Sequence, residues 1–177
     1  HDISKRYGAK VDIRKEIGYN ADSIKFYNAV LKDKKVLHNT NSITIKRKFL
    51  IKEKLFDERL KLHTDSELWD RLKRRGNFFA GETNIPVAVI RRHENNTITS
   101  RSSGSALKMN AVFIDNVGVQ NLYDFEKVNL FKTIIRHKSK SIPGKWKRRF
   151  YYYSRYFLGN FQKNKFLNNF MNDVLSN

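Results

Sequence analysis

The run Thr64-Asp65-Ser66-Glu67-Leu68-Trp69-Asp70-Arg71-Leu72 constrains this chain more than any other, because helical spacing sorts it into a dry and a wet side. Leu68 and Leu72 fall on one face with Trp69, which reads as core, while Arg71, Lys73, Arg74 and Arg75 turn to water. Thr64 or Asp65 can cap the helix, since either side chain can accept from an amide of the first turn. Gly76 can end it in a left-handed conformation. Asp65 then sits near the positive end of the helix dipole, and from spacing alone a cap is its ordinary role.

The residues around that helix follow a definite order. Leu55-Phe56-Asp57-Glu58-Arg59-Leu60 precedes it, and Gly76, Ile85-Pro86 and Ile90-Arg91-Arg92-His93-Glu94-Asn95-Asn96 follow it. Between about residues 39 and 97 this ordered set resembles the acceptor half of family 2 glycosyltransferases of the GT-A fold. No single piece is diagnostic; the order carries the likeness. The resemblance implies an α/β fold, with residues 1–100 as the acceptor-side half of a GT-A (Rossmann-like) domain. Residues 101–177 would then be a mainly helical, basic and aromatic extension. It also implies an enzyme that moves a sugar, with inversion, from a nucleotide-sugar donor to a hydroxyl acceptor. The acceptor would be a saccharide or a lipid-linked one, in cell-surface polysaccharide or glycolipid synthesis. Carried over residue by residue, Asp65 is the base, Arg91 and Arg92 hold the donor diphosphate, and His93 binds a divalent metal, Mg or Mn. Strand alternation places Arg91, rather than Arg92, on the side of His93.

Two departures stand out. Thr64 replaces the family's glutamate before the catalytic aspartate, and Glu53-Lys54 stands where the family often has a glycine pair. No Asp-x-Asp occurs in the chain. The resemblance therefore implies that the nucleotide-binding N-terminal half is missing from these residues, and that they have no transferase activity alone. The implied location is cytoplasmic, peripheral at the inner face of a bacterial membrane.

Elsewhere, Asp22-Ser23 open a helical pattern with Ile24, Tyr27, Val30 and Leu31. Asn39 to Ile45 alternates and is β-branched, which predicts a strand, followed by a short helix at about Arg47 to Lys52. Asn77 to Ala80 and Val87 to Ile90 read as short strands, and Thr97 to Gly104 as a polar loop. Helical patterns resume from Ser105 to Val112 and from Tyr123 to His137, where Phe125, Val128, Phe131 and Ile135 share a stripe. Pro143-Gly144 breaks the chain before a last helix from Lys145 toward Leu175, with Gly159 and Asn160 marking a kink or split. His38, His63 and His137 read as surface residues.

Charge adds a second constraint. The 177 residues carry a net charge of +19, and from Lys127 to Asn172 there are 12 Lys and Arg with no Asp or Glu. Such a field attracts polyanions without choosing among them. In the last helix Trp146, Phe150, Tyr153, Phe157 and Phe161 recur every three or four residues beside Lys147, Arg148, Arg149 and Arg155. This stripe, Trp146 to Phe150 above all, reads as a membrane or partner contact: a neighbouring helix, a second subunit, or an anionic membrane surface. The alternative class is a basic nucleic-acid-binding module without enzyme activity, suggested by Tyr and Phe interleaved with Lys and Arg. The absence of cysteine excludes disulfides and thiolate zinc sites.

Overall fold

The structure is a computed structural model, and it describes residues 43–79, 103–159 and 162–176. Among the described residues 73% are helical and there is no strand or sheet. The helices are α1 (Arg47–Lys52), α2 (Thr64–Lys73), α3 (Ser103–Val117), α4 (Asp124–Lys140), α5 (Lys145–Gly159) and α6 (Lys163–Leu175). A 3-10 turn, η1 (Val119–Asn121), links α3 to α4. The expected α/β, Rossmann-like architecture is therefore corrected: the described part of the chain is helical.

The physical reason is visible in what the apolar residues do. Ile43 to Ile45 alternate as a strand would, but they pair with nothing that forms a sheet and run directly into α1, where the Phe49 amide donates to the Lys46 carbonyl at 2.9 Å. Of the segment at Asn77 to Ala80, the described residues hold one isolated bridge at Phe78 and no strand. A β-branched run makes a strand only where a neighbouring strand takes up its amides and carbonyls. Residues 39–42, the strand read at Val87 to Ile90 and the helix read after Asp22 lie outside the described residues.

The chain divides into two compact units, residues 1–49 with 72–91, and residues 50–71 with 92–177. In the first, Gly76 is buried and closes the turn after α2, its amide donating to the Leu72 carbonyl at 2.9 Å. It is not left-handed, contrary to the expectation from sequence. Its value is space: a Cβ would come within 3.1 Å of both the Phe49 ring and the Leu72 carbonyl oxygen.

In the second unit, α3, α4 and α6 pack on one another and α5 packs on α4. Ala111, Ile114, Leu130, Ile134, Leu167 and Phe170, at three- and four-residue spacing along their helices, make the dry seam. The helices end where sequence signals stop them. Gly118 (φ +81) turns the chain into η1, and Gly144 (φ +86) turns it into α5 after Pro143. Glu126 closes the start of α4 by accepting from the Tyr123 amide at 2.7 Å. Ser103 and Gly104, read as the end of a loop, instead open α3.

Phe131 is the ring on which three of these helices meet. It is fully buried, lies edge-on to Phe166 of α6 at 4.7 Å, and faces Tyr156 of α5 at 6.3 Å. The stripe expected on α4 includes Phe131 and Ile135 but is centred further round, since Leu130 and Ile134 are also buried while Phe125 and Val128 are half-buried. The helix read from Lys145 toward Leu175 is split at the glycine marked in the sequence, α5 ending at Gly159. A Cβ there would lie 2.3 Å and 2.6 Å from Phe131 ring carbons. Gly159→Ala should therefore lower stability by about 1–3 kcal/mol, because the buried ring has nowhere to move. Gly144→Ala meets nothing within 4 Å and carries only the backbone penalty of its positive φ, about 1 kcal/mol. Urea unfolding tests this, and a Gly159→Ala midpoint no lower than the parent's would contradict the close approach at Gly159.

Candidate functional site

Helix α2 does not divide into wet and dry faces as its spacing suggests. Leu68, Trp69 and Leu72 are buried as expected, but so are Glu67, Arg71 and Lys73. Glu67 is wholly inaccessible and Arg71 nearly so. Arg71 Nε donates to Glu67 Oε1 at 2.6 Å and Arg71 Nη2 to Oε2 at 2.9 Å, a two-pronged pair one helical turn apart. The guanidinium then reaches the preceding loop: Nη1 donates to the Glu53 carbonyl and Nη2 to the Leu55 carbonyl at 2.6 Å. That loop holds Lys54 and Leu55 in left-handed backbone, φ +63 and +53. Side chains with a Cβ enter this region at about 1–2 kcal/mol each. The two carbonyls flanking and ending that strained pair are the ones Arg71 holds.

Asn116, near the end of α3, joins the pair to the Phe56-Asp57-Glu58 turn. Its Nδ2 donates to Glu67 Oε1 and to Asp57 Oδ2, both at 2.9 Å. Arg59 completes the set: it donates to both Asp57 oxygens at 2.8 and 3.0 Å, to Asp115 Oδ2 at 2.7 Å, and to Asn116 Oδ1 at 3.3 Å. Half-buried Asp57 thus has both carboxylate oxygens bonded, to Arg59 and Asn116. Hydrogen bonds from Arg59, opposed by partial burial and reinforced by Asn116, hold its carboxyl well below the usual range. Arg59 is raised in turn, by Asp57 first and then Asp115. The Glu67–Arg71 spacing of four residues was legible as a helix pair. Nothing in the sequence signalled Asn116.

Asp65 lies in the first turn of α2 and is half-buried. Its Oδ1 accepts from the Ser66 amide at 2.8 Å, so it does bond a first-turn amide, and it also lies 3.4 Å from the Ser66 hydroxyl. The residue before the helix, His63, has φ +65 and its Nε2 lies 3.2 Å from the Ser105 hydroxyl oxygen at the start of α3. His63 and His137, read as surface, are both half-buried. Burial, then Lys140, Arg136 and His63, push the His137 imidazole below its ordinary value.

Arg91, Arg92 and His93 lie outside the described residues, as does His38. Among the described residues no three or more His, Asp or Glu side chains come together as metal ligands, so no metal set is assigned within them. Trp146, Lys147, Arg148, Arg149 and Phe150 all lie exposed on α5, well apart in sequence from Asp65. No helix among the described residues is long and apolar enough to cross a membrane. No family model, curated protein or solved structure matches the chain.

Arg71→Met should cost about 3–5 kcal/mol, because it leaves Glu67 charged and enclosed. Glu67→Leu combined with Arg71→Met should recover part of that loss, yet stay below the parent because the Glu53 and Leu55 carbonyls lose their donor. A double variant no better than the single one in denaturant unfolding would show that the pair is not what Arg71 mainly serves. Asp57 supplies a pH test. Its folded-state value is depressed, so its contribution is present above the ordinary carboxylate range, about pH 4, and is lost as pH falls below it. Asp57→Asn should flatten the acid side of the stability–pH curve; an unchanged slope would remove Asp57 from the network's energetics.

Proposed function

We propose that this chain is part of an enzyme that transfers a sugar from a nucleotide-activated donor to a hydroxyl acceptor, with Asp65 as the base. The observation that carries the reading is the contrast between the acids of α2 and its entering turn. Glu67 is enclosed against Arg71, and the half-buried Asp57 has both oxygens taken up by Arg59 and Asn116, whereas the half-buried Asp65 stands in the first turn of α2, its Oδ1 accepting from the Ser66 amide. A base has to reach its proton across hydrogen-bond distance, which an enclosed and fully engaged carboxylate cannot do. The order of residues from Leu55 to His93 supports the same reading.

In this scheme Asp65 accepts the proton of the acceptor hydroxyl as that oxygen bonds to the anomeric carbon. The bond from that carbon to the diphosphate oxygen breaks on the opposite face. The departing diphosphate carries the electron pair away, and Arg91 and Arg92 are proposed to hold it. The network around Arg71 acts on the rate only through position. It fixes the start of α2, and a displaced base loses rate even when its chemistry is intact. A nucleic-acid-binding module would use the charge of the C-terminal helices and would have no use for a positioned carboxylate at Asp65.

Asp65→Asn separates base from local hydrogen-bond acceptor, since the Asn side-chain oxygen can still accept from the Ser66 amide. In the enzyme that contains this chain, the change should cut turnover roughly 100- to 10,000-fold. Unfolding midpoint and donor affinity should stay close to the parent's. Full turnover in a correctly folded Asp65→Asn enzyme removes Asp65 from the chemistry.

A further inference from the structure

Helix α5 leaves its most apolar strip outside. Trp146, Phe150, Tyr153 and Phe157 are 65–78% exposed, although they follow one another at spacings of four, three and four. About 100° per residue places them in a single line along the helix. A different face of α5 is already used: Tyr156 and Gly159 lie against Phe131 of α4, the Lys132 ammonium is 5.5 Å from the Tyr156 ring, and Tyr152 stacks on Tyr156. The helix is therefore held on the protein by one side while the ring strip faces away. Lys147 and Arg149 flank the strip on its two sides, and Arg149 lies 5.8 Å from the Trp146 ring. The helix has five Lys and Arg and no acidic residue.

We propose that this strip is a docking surface for an anionic lipid bilayer, with α5 lying in the plane of the interface. Rings enter the headgroup layer, Trp and Tyr keep their polar edges at the water side, and the flanking cations meet lipid phosphates. Charge complementarity selects this occupant. A second copy of the same face would bring its Lys147 and Arg149 against those of the first, with no acid on the helix to relieve the repulsion. A nucleic acid matches the charge but not the strip, because base stacking needs rings laid open one by one, whereas here they form a continuous apolar line. At 15 residues the helix is about 22 Å long, too short to cross a bilayer core of about 30 Å. Contact is thus in plane and reversible. The inference is independent of Asp65 and stands or falls apart from the sugar-transfer reading.

Vesicles of phosphatidylglycerol and phosphatidylcholine, compared with phosphatidylcholine alone, test it on the 177-residue chain. Sedimentation gives the affinity, and the emission of Trp146 reports insertion, with Trp146→Phe supplying the background from buried Trp69. The chain should bind the anionic vesicles at low salt, with a blue shift, and release as salt rises. Phe150→Ser with Phe157→Ser should weaken binding about 100-fold, at about tenfold per ring. Lys147→Gln with Arg149→Gln should weaken it by roughly 25-fold, at about fivefold per charge. All four positions are exposed, so circular dichroism should remain that of the parent. Equal binding to neutral vesicles, or anionic binding that ignores the ring substitutions, overturns the proposal. So does a single-stranded oligonucleotide whose binding suffers more from those substitutions than vesicle binding does, or a dimer that the ring substitutions dissociate.

Discussion

A guanidinium enclosed in protein has five donors and no way to lose its charge, so everything around Arg71 is arranged to accept from it. Glu67 supplies the countercharge from one helical turn away, and two backbone carbonyls of the entering loop take further donors. The pair alone would not favour folding, since taking two ions out of water costs about as much as their attraction returns. Its consequence is positional: the Glu53 and Leu55 carbonyls are tied to a guanidinium anchored on α2. Asn116 and Arg59 extend that dependence to α3 and to the Asp57 turn.

This explains how two successive non-glycine residues come to sit in left-handed backbone. Lys54 and Leu55 have no local reason to adopt φ values of +63 and +53. A hydrogen-bond donor held in place from α2 supplies a tertiary one, offsetting a local penalty with its bonds to the loop carbonyls. The same clamp sets where α2 begins, and hence where Asp65 stands. Glu67 and Arg71 tie the helix to its entering loop, and half-buried Asp65 lies in the first turn that follows.

The C-terminal helices solve a different problem. With 12 cations and no acid between Lys127 and Asn172, ion pairing within that stretch is impossible. Its buried contacts are made mainly by rings and aliphatic side chains, with Phe131 between α5 and α6 and Gly159 admitting α5 to close range. α5 has more aromatic residues than one packing face can take. Tyr156 is drawn in toward α4 with Tyr152 stacked on it, and the other line of rings is left outside, bordered by charge.

The sequence alone determined the local features: α1 at Arg47–Lys52, the apolar line of Leu68, Trp69 and Leu72, the chain break at Pro143-Gly144, and the split at Gly159. Each rests on spacing or on a residue's own backbone preference, which travel with the residue. Tertiary structure decided the rest. It decided that Ile43 to Ile45 would not be a strand, because strands exist only in pairs. It put Arg71 inside rather than outside, because a charge can be enclosed when Glu67 and the carbonyls of the entering loop accept from it. It made Gly76 a matter of space rather than of handedness, because the Phe49 ring lies against it. Asn116 gave no signal at all, since its role consists of bonds to residues about fifty positions away. The exposed ring line on α5 shows the limit most plainly. Periodicity identified the stripe, but only the packing of α4 determined which of two aromatic faces would be covered and which would meet the surroundings.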